Sequence, residues 1–340
     1  MSTNNPKQET RSSNHTQSPQ VTLTAATQSD LTAHFGDAAP VIQTGVTTAI
    51  GAALLIRAQR AQYADVRSTI RTKSSDVDPV TAVDTAAEEY ITTTLAALRP
   101  NDGVRGEEGA ATPGTNDITW IIDPIDGTVN FVYGIPQYAV SLGVVRGGEI
   151  VAGVVINVAH GHLYAAVQGK GAWRSLVDLA VLAVTTNPKV ELAPWTQLHV
   201  NTPASAAAAL VATGFSYEAD RRAAQAAMLQ AVLPQVRDIR RQGSAALDLC
   251  AVASGEVDAY YEHGIHTWDY AAGMCIASEA GAQGGYPGVD TPGIKGELVW
   301  AAAGNIAAEF ASLLQLGPVS IPSSSVRDKV VREHVVYPRE

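Results

Sequence analysis

The stretch Trp120-Ile-Ile-Asp123-Pro-Ile-Asp126-Gly127-Thr128-Val-Asn130-Phe131 constrains this chain more than any other. Trp120, Ile121 and Ile122 form a short apolar run of the kind that fills a covered strand. Pro124 and Gly127 predict that the strand stops and turns there, and that Gly127 and Thr128 open a helix. Asp123 and Asp126 then stand at the carboxyl edge of a sheet, near enough for both to reach one hard cation, with the Ile125 carbonyl as a third oxygen. The N–H groups of Gly127 and Thr128, at the positive end of the helix dipole, suit a phosphate. Taken alone, the stretch reads equally well as an Asp-rich turn that caps a helix.

Two further acidic motifs tip that balance. In Arg105-Gly106-Glu107-Glu108-Gly109 the flanking glycines allow a tight turn, which suits a carboxylate aimed into a site. Asp269 follows Trp268 at the start of a helix read over Tyr270 to Ala280, whose Ala271, Ala272, Gly273 and Ala277 permit close packing. A plain N-cap is the competing role for Asp269. Glu107, Asp123, Asp126 and Asp269 brought together would repel one another severely unless divalent cations neutralised them. Ligation by oxygen alone points to Mg2+ or Mn2+ and away from zinc. Two such ions beside a phosphate cradle form a device for in-line hydrolysis.

The rest of the chain frames this set. Residues 1–39 are polar, poor in large apolar side chains and expected to be a flexible tail; residues 40–317 form the folded domain and 318–340 a second tail. A long helix is expected from Val41 to about Thr72, and another after Pro79 on which Glu88 and Glu89 are solvated charges, with the same role open to Asp84. Tyr138–Val145, Ile150–Val158 and Leu163–Val167 predict an antiparallel meander, with His160 and His162 as turn residues. Residues 174 to about 200 show no clear pattern. Beyond them come a strand at Ala206–Thr213, a helix at Asp220–Val236, an Ala/Leu helix to about Ala253 and a strand ending in Glu262. A last strand, Leu298–Ala303, precedes a helix capped by Asn305.

Composition excludes several classes. With 23 Lys and Arg against 33 Asp and Glu, a net charge of −10, no basic face is expected for nucleic acid or an acidic membrane. Cys250 and Cys275 are too few for a disulfide framework and point to a reducing compartment. No apolar run approaching about 20 residues and no signal peptide are read, so the cytoplasm is expected.

Gly106-Glu107-Glu108, the Trp120–Phe131 stretch and Trp268-Asp269-x-Ala-Ala-Gly-x-x-Ile-Ala-x-Glu-Ala-Gly281 together resemble, in order, the signature motifs of the inositol monophosphatase family. Arg240–Cys250 and Asp258–His266 are similar to further blocks, and with Lys73 and Asp84 the resemblance spans roughly residues 41 to 316. It implies a layered α/β sandwich, a homodimer, and Mg2+-dependent, lithium-sensitive hydrolysis of a small phosphorylated polyol, inositol 1-phosphate first. Fructose 1,6-bisphosphate, a 3′-phosphonucleotide or histidinol phosphate are alternatives, and a catalytically idle binding or scaffold relative is a further one. By the resemblance, Glu107, Asp123 and the Ile125 carbonyl hold one metal, Asp123, Asp126 and Asp269 a second, and Glu107 with water a third. Thr128 oriented by Asp84 activates water, the amides of Gly127 and Thr128 hold phosphate, Lys73 lies near the site, and Gly243, Ala245 and Glu262 meet substrate hydroxyls. Two departures stand out: the extra residues before Val41, and Arg174–Pro194, which is longer than the family pattern and lacks its Asn-Gly turn and strand.

Overall fold

Trp120 and Ile122 pack into one hydrophobic cluster and Ile121, between them, into another. Side chains alternate across a strand, so this split marks a strand covered on both faces, and the layers build outward from it. The computed structural model describes residues 18–62, 79–183, 185 and 187–314; Lys73 and the tail expected from 318 lie outside them. Along the chain run β1 (Thr22–Leu23), α1 (Ala25–Phe35), α2 (Ala39–Gln62), α3 (Pro79–Leu98), β2 (Gly103–Gly106), β3 (Ala111–Thr112), β4 (Ile118–Asp126) and α4 (Thr128–Tyr133). The meander follows as β5 (Ala139–Arg146), β6 (Glu149–Asn157), β7 (His162–Val167) and β8 (Ala172–Leu176), then α5 (Leu179–Leu182), β9 (Lys189–Val190) and β10 (Thr196–Gln197). The second half holds β11 (Leu210–Thr213), α6 (Ala219–Val232), β12 (Asp238–Arg240), α7 (Ala245–Ala253) and β13 (Ala259–His263). It closes with α8 (Thr267–Glu279), β14 (Ala282–Gly285), β15 (Leu298–Ala303) and α9 (Ala307–Leu313).

An eight-stranded sheet, ordered β10-β8-β7-β6-β5-β4-β2-β3, and a five-stranded sheet, ordered β12-β11-β13-β15-β14, carry the fold. Helices α1 to α3 share a core with one face of the larger sheet. α7 and α8 fill the space between the two sheets, and α9 covers the outer face of the smaller one. The layered α/β sandwich implied by the motifs is what the chain forms.

The structure corrects several expectations. The tail expected over 1–39 is structured from Thr22 onward: β1 pairs in parallel with β9, and Leu31 and Phe35 on α1 are fully buried. Leu23, Thr27, Leu31 and Phe35 recur every four residues, so a few apolar groups on one helix face suffice. Thr27 Oγ1 accepts the Leu192 N–H at 3.1 Å, and Phe35 meets Trp195 edge to face at 6.3 Å. The two departures from the family pattern thus pack against each other. β8 takes in Trp173 itself, and its antiparallel neighbour β10 comes only after the long segment. Asn305 does not cap α9; it donates its side-chain amide to the Pro203 carbonyl. Finally, the helical span Ala25–Gln62 is apolar and long enough to cross a bilayer by composition, contrary to the reading above, but 78% of its most apolar window is buried inside the protein.

Candidate active site

The end of β4 carries the irregularity that creates the site. In a regular strand, residues three apart face opposite sides. Here Asp123 pairs with Ser141 and Asp126 with Ala139, so three steps on β4 answer two on β5. The resulting bulge turns both carboxylates to one side. Pro124 does not end the strand as expected; it sits in the bulge, a position that strands reserve for proline because its lost N–H is not missed there. Gly127 ends it, at φ 94°. A Cβ at 127 would lie 2.9 Å from the Gln137 carbonyl oxygen and 3.0 Å from that of Gly243, so conformation and space both require glycine.

Asp269 approaches from the opposite layer. α8 presses so closely on the sheet that a Cβ at Gly153 would stand 2.5 Å from the Ala272 carbonyl oxygen, and the Ser141 hydroxyl donates to the Trp268 carbonyl at 3.1 Å. Asp269 is not the N-cap: it lies at the third helical position, where its Oδ2 accepts the His266 N–H at 2.7 Å. This docking gathers one carboxylate oxygen each from Asp123, Asp126 and Asp269 within 4.8 Å of one another. All three are aimed by hydrogen bonds. Asp123 Oδ1 accepts the Ile125 N–H at 2.9 Å, and Asp126 Oδ2 accepts the Ser244 hydroxyl at 2.6 Å and the Ala246 N–H at 2.7 Å. Glu107 is not one of these three; its carboxyl lies beside that of Asp123, and the residue as a whole is exposed.

Burial, then the charges of Glu107, Asp126 and Asp269, hold the Asp123 carboxyl well above the usual carboxylate range. Asp269 is raised in the same way, by burial and then by Asp126. Burial lifts Asp126 to about 6 against the bonds from Ser244 and the α7 amides, which pull it down. Glu107 rises to about 7, chiefly by burial, with its bond to Asp123 opposing and Glu108, Asp126 and Glu88 adding. Acids this crowded keep protons near neutral pH, and a divalent cation would replace them.

Thr128, half-buried at the first position of α4, donates its hydroxyl to the Ile125 carbonyl at 3.1 Å, joining two of the oxygens assigned to the site. Asp84 is buried, not solvated. Gly243 abuts Gly127, and the Ala245 N–H is directed at Asp126. Glu262 is pushed up to about 7 by burial, while a hydrogen bond from Tyr260 and the charge of Arg241 oppose the shift. Tyr260 donates to its Oε2 at 2.9 Å.

Sequence reading passed over Ser244, Tyr260 and Asp248, and took Glu88 for a solvated charge. Ser244 directly precedes an Ala/Leu helix, an N-cap signal, and Tyr260 stands two residues before Glu262 on one strand face. Asp248, fully buried on α7 with its carboxyl raised first by burial and then by Glu262, had no such signal.

Fold and site together define a layered α/β protein with a cluster of carboxylates that could hold a cation at a strand-to-helix junction. Residues 37–315 match the inositol monophosphatase family, and the chain belongs to that family and so to its phosphatases. The inositol-1-monophosphatase SuhB of Mycobacterium tuberculosis is 46% identical over 281 residues, covering 78% of this chain and 89% of that protein. The solved structure of Mycobacterium tuberculosis SuhB superposes with a TM-score of 0.66 at 42% identity, covering 82% of this chain and 98% of that one. A Nus factor SuhB of Xylella fastidiosa is 38% identical over 222 residues, covering 65% of this chain and 74% of its own length.

Proposed function

We propose that the protein is a Mg2+-dependent phosphomonoesterase whose preferred substrate is inositol 1-phosphate. The convergence of Asp123, Asp126 and Asp269 within 4.8 Å carries this reading. Bound Mg2+ ions, two or three with Glu107 and the Ile125 carbonyl as further ligands, supply charge for the phosphoryl oxygens and a water of lowered pKa; Mn2+ is a substitute. Thr128 and Asp84 orient that water, and the amides of Gly127 and Thr128 receive the phosphate. Glu262, held by Tyr260, accepts hydrogen bonds from ring hydroxyls with Gly243 and Ala245 alongside. Lithium sensitivity, a homodimer and a cytoplasmic location belong to the same reading.

The test is phosphate release from inositol 1-phosphate, fructose 1,6-bisphosphate, a 3′-phosphonucleotide and histidinol phosphate, each with Mg2+ and with chelator. Inositol 1-phosphate is expected to turn over fastest, and only with metal. Faster turnover of another ester would replace the substrate, and metal-independent turnover would end the mechanism. The relatives named Nus factor favour a second role that the net charge of −10 opposes. Gel-shift titration with RNA decides it, and we expect no shift.

A further inference from the structure

Glu88, read from the sequence as a solvated helix charge, is only 6% exposed. It follows Asp84 on α3 by four residues, the spacing that puts two side chains on one helix face. Its carboxylate reaches across to the loop after β2 and takes two backbone donors there. The Glu108 N–H donates to Oε2 at 2.9 Å and the Ala110 N–H to Oε1 at 2.8 Å, so both oxygens are engaged. Gly106 leaves room for the carboxylate, because a Cβ there would stand 2.2 Å from Oε2. Glu107 therefore lies between Gly106, which the Glu88 carboxylate approaches too closely to admit a side chain, and Glu108, whose N–H that carboxylate holds. Burying a carboxylate is costly unless hydrogen bonds compensate it, and among the described residues these loop amides are its side-chain partners.

We propose that Glu88 is a positioning residue for metal binding: it holds the Gly106–Ala110 loop so that Glu107 meets Asp123. The sequence assigns it no such part, and its influence passes entirely through Glu107. The inference rests on the reading of Glu107 as a metal ligand, which the experiment below tests separately.

The experiment is calorimetric titration of the metal-stripped full chain with Mg2+, together with hydrogen exchange at the Glu108 and Ala110 amides. Wild type, Glu88→Gln, Gly106→Ala and Glu107→Gln are compared. Glu88→Gln keeps the shape but loses one of the two acceptors; Gly106→Ala keeps the charge of Glu88 and displaces its carboxylate. Both are expected to weaken Mg2+ binding by about 10- to 100-fold, the range for groups that orient a metal ligand, and to speed exchange of the two amides. Wild-type Mg2+ affinity or wild-type amide exchange in Glu88→Gln would overturn the proposal. So would weakened binding in Glu88→Gln beside wild-type binding in Gly106→Ala, since charge alone would then account for the effect. If Glu88→Gln does not fold, Glu88→Asp, which withdraws the carboxylate by one methylene, takes its place with the same two outcomes. Glu107→Gln binding Mg2+ as tightly as wild type would refute the ligand reading itself, whatever Glu88 does.

Discussion

The two sides of the acid cluster are built differently. Asp123, Asp126 and Asp269 stand on a strand end and a helix start, each with one oxygen tied to a backbone N–H. Glu107 stands on an exposed loop whose backbone is held by a carboxylate from another element. The first arrangement aims its side chains through the docking of α8 on the sheet, and the second does so through one buried acid. Rigid support from packed elements and a single tether are therefore expected to fail differently when disturbed.

The largest effect is expected on the packed side. Asp126→Asn should reduce Mg2+-dependent phosphate release at least about 100-fold, beyond the range typical of supporting groups; near-normal turnover would mean that the three aspartates do not act together. Gly153→Ala forces a methyl against the Ala272 carbonyl. Overpacking of this kind typically costs about 1–3 kcal/mol, read by urea unfolding, and unchanged stability would show that α8 does not need its close seat.

The electrostatics sharpen the same contrast. Because Glu107 and Asp126 titrate at about 7 and about 6 in the folded chain, above their ordinary 4.5 and 3.8, the native state holds more protons than the unfolded one across that interval. Without metal, stability should therefore fall as pH rises from about 4 to about 7, and Mg2+ should reverse the fall. Melting curves in chelator and in Mg2+ are expected to diverge by several degrees as pH rises through this window; parallel curves would show that these acids do not take up the ion. The smallest effect is expected at Tyr260→Phe, which removes the donor to Glu262. A loss of about 1 kcal/mol should raise KM for the polyol phosphate roughly fivefold with kcat little changed.

What could be read from the sequence follows the same division. The Trp120–Phe131 junction, the meander and the acids beside glycine or tryptophan announce themselves through neighbours a few residues away. The bulge at Pro124 did not, because proline in a turn and proline in a bulge present the same local sequence. Glu88 resembled Glu89, and only the fold shows that one of the two is buried against amides 20 and 22 residues further on. His266 displaced Asp269 from the N-cap because the carboxylate reaches back to the His266 N–H from inside the first turn. The amino-terminal segment was misjudged on composition, since its anchor at Leu192 lies 165 residues away.

That last contact bears on how the protein should be handled. The family match opens at residue 37, and a recombinant product trimmed to it would lose β1 and α1. Removing Leu31 and Phe35 from the cluster they share with Ile42 and Val190 would bare a greasy trough along α2. Such surfaces promote clumping, so the shortened protein is expected to precipitate long before its aspartates are disturbed.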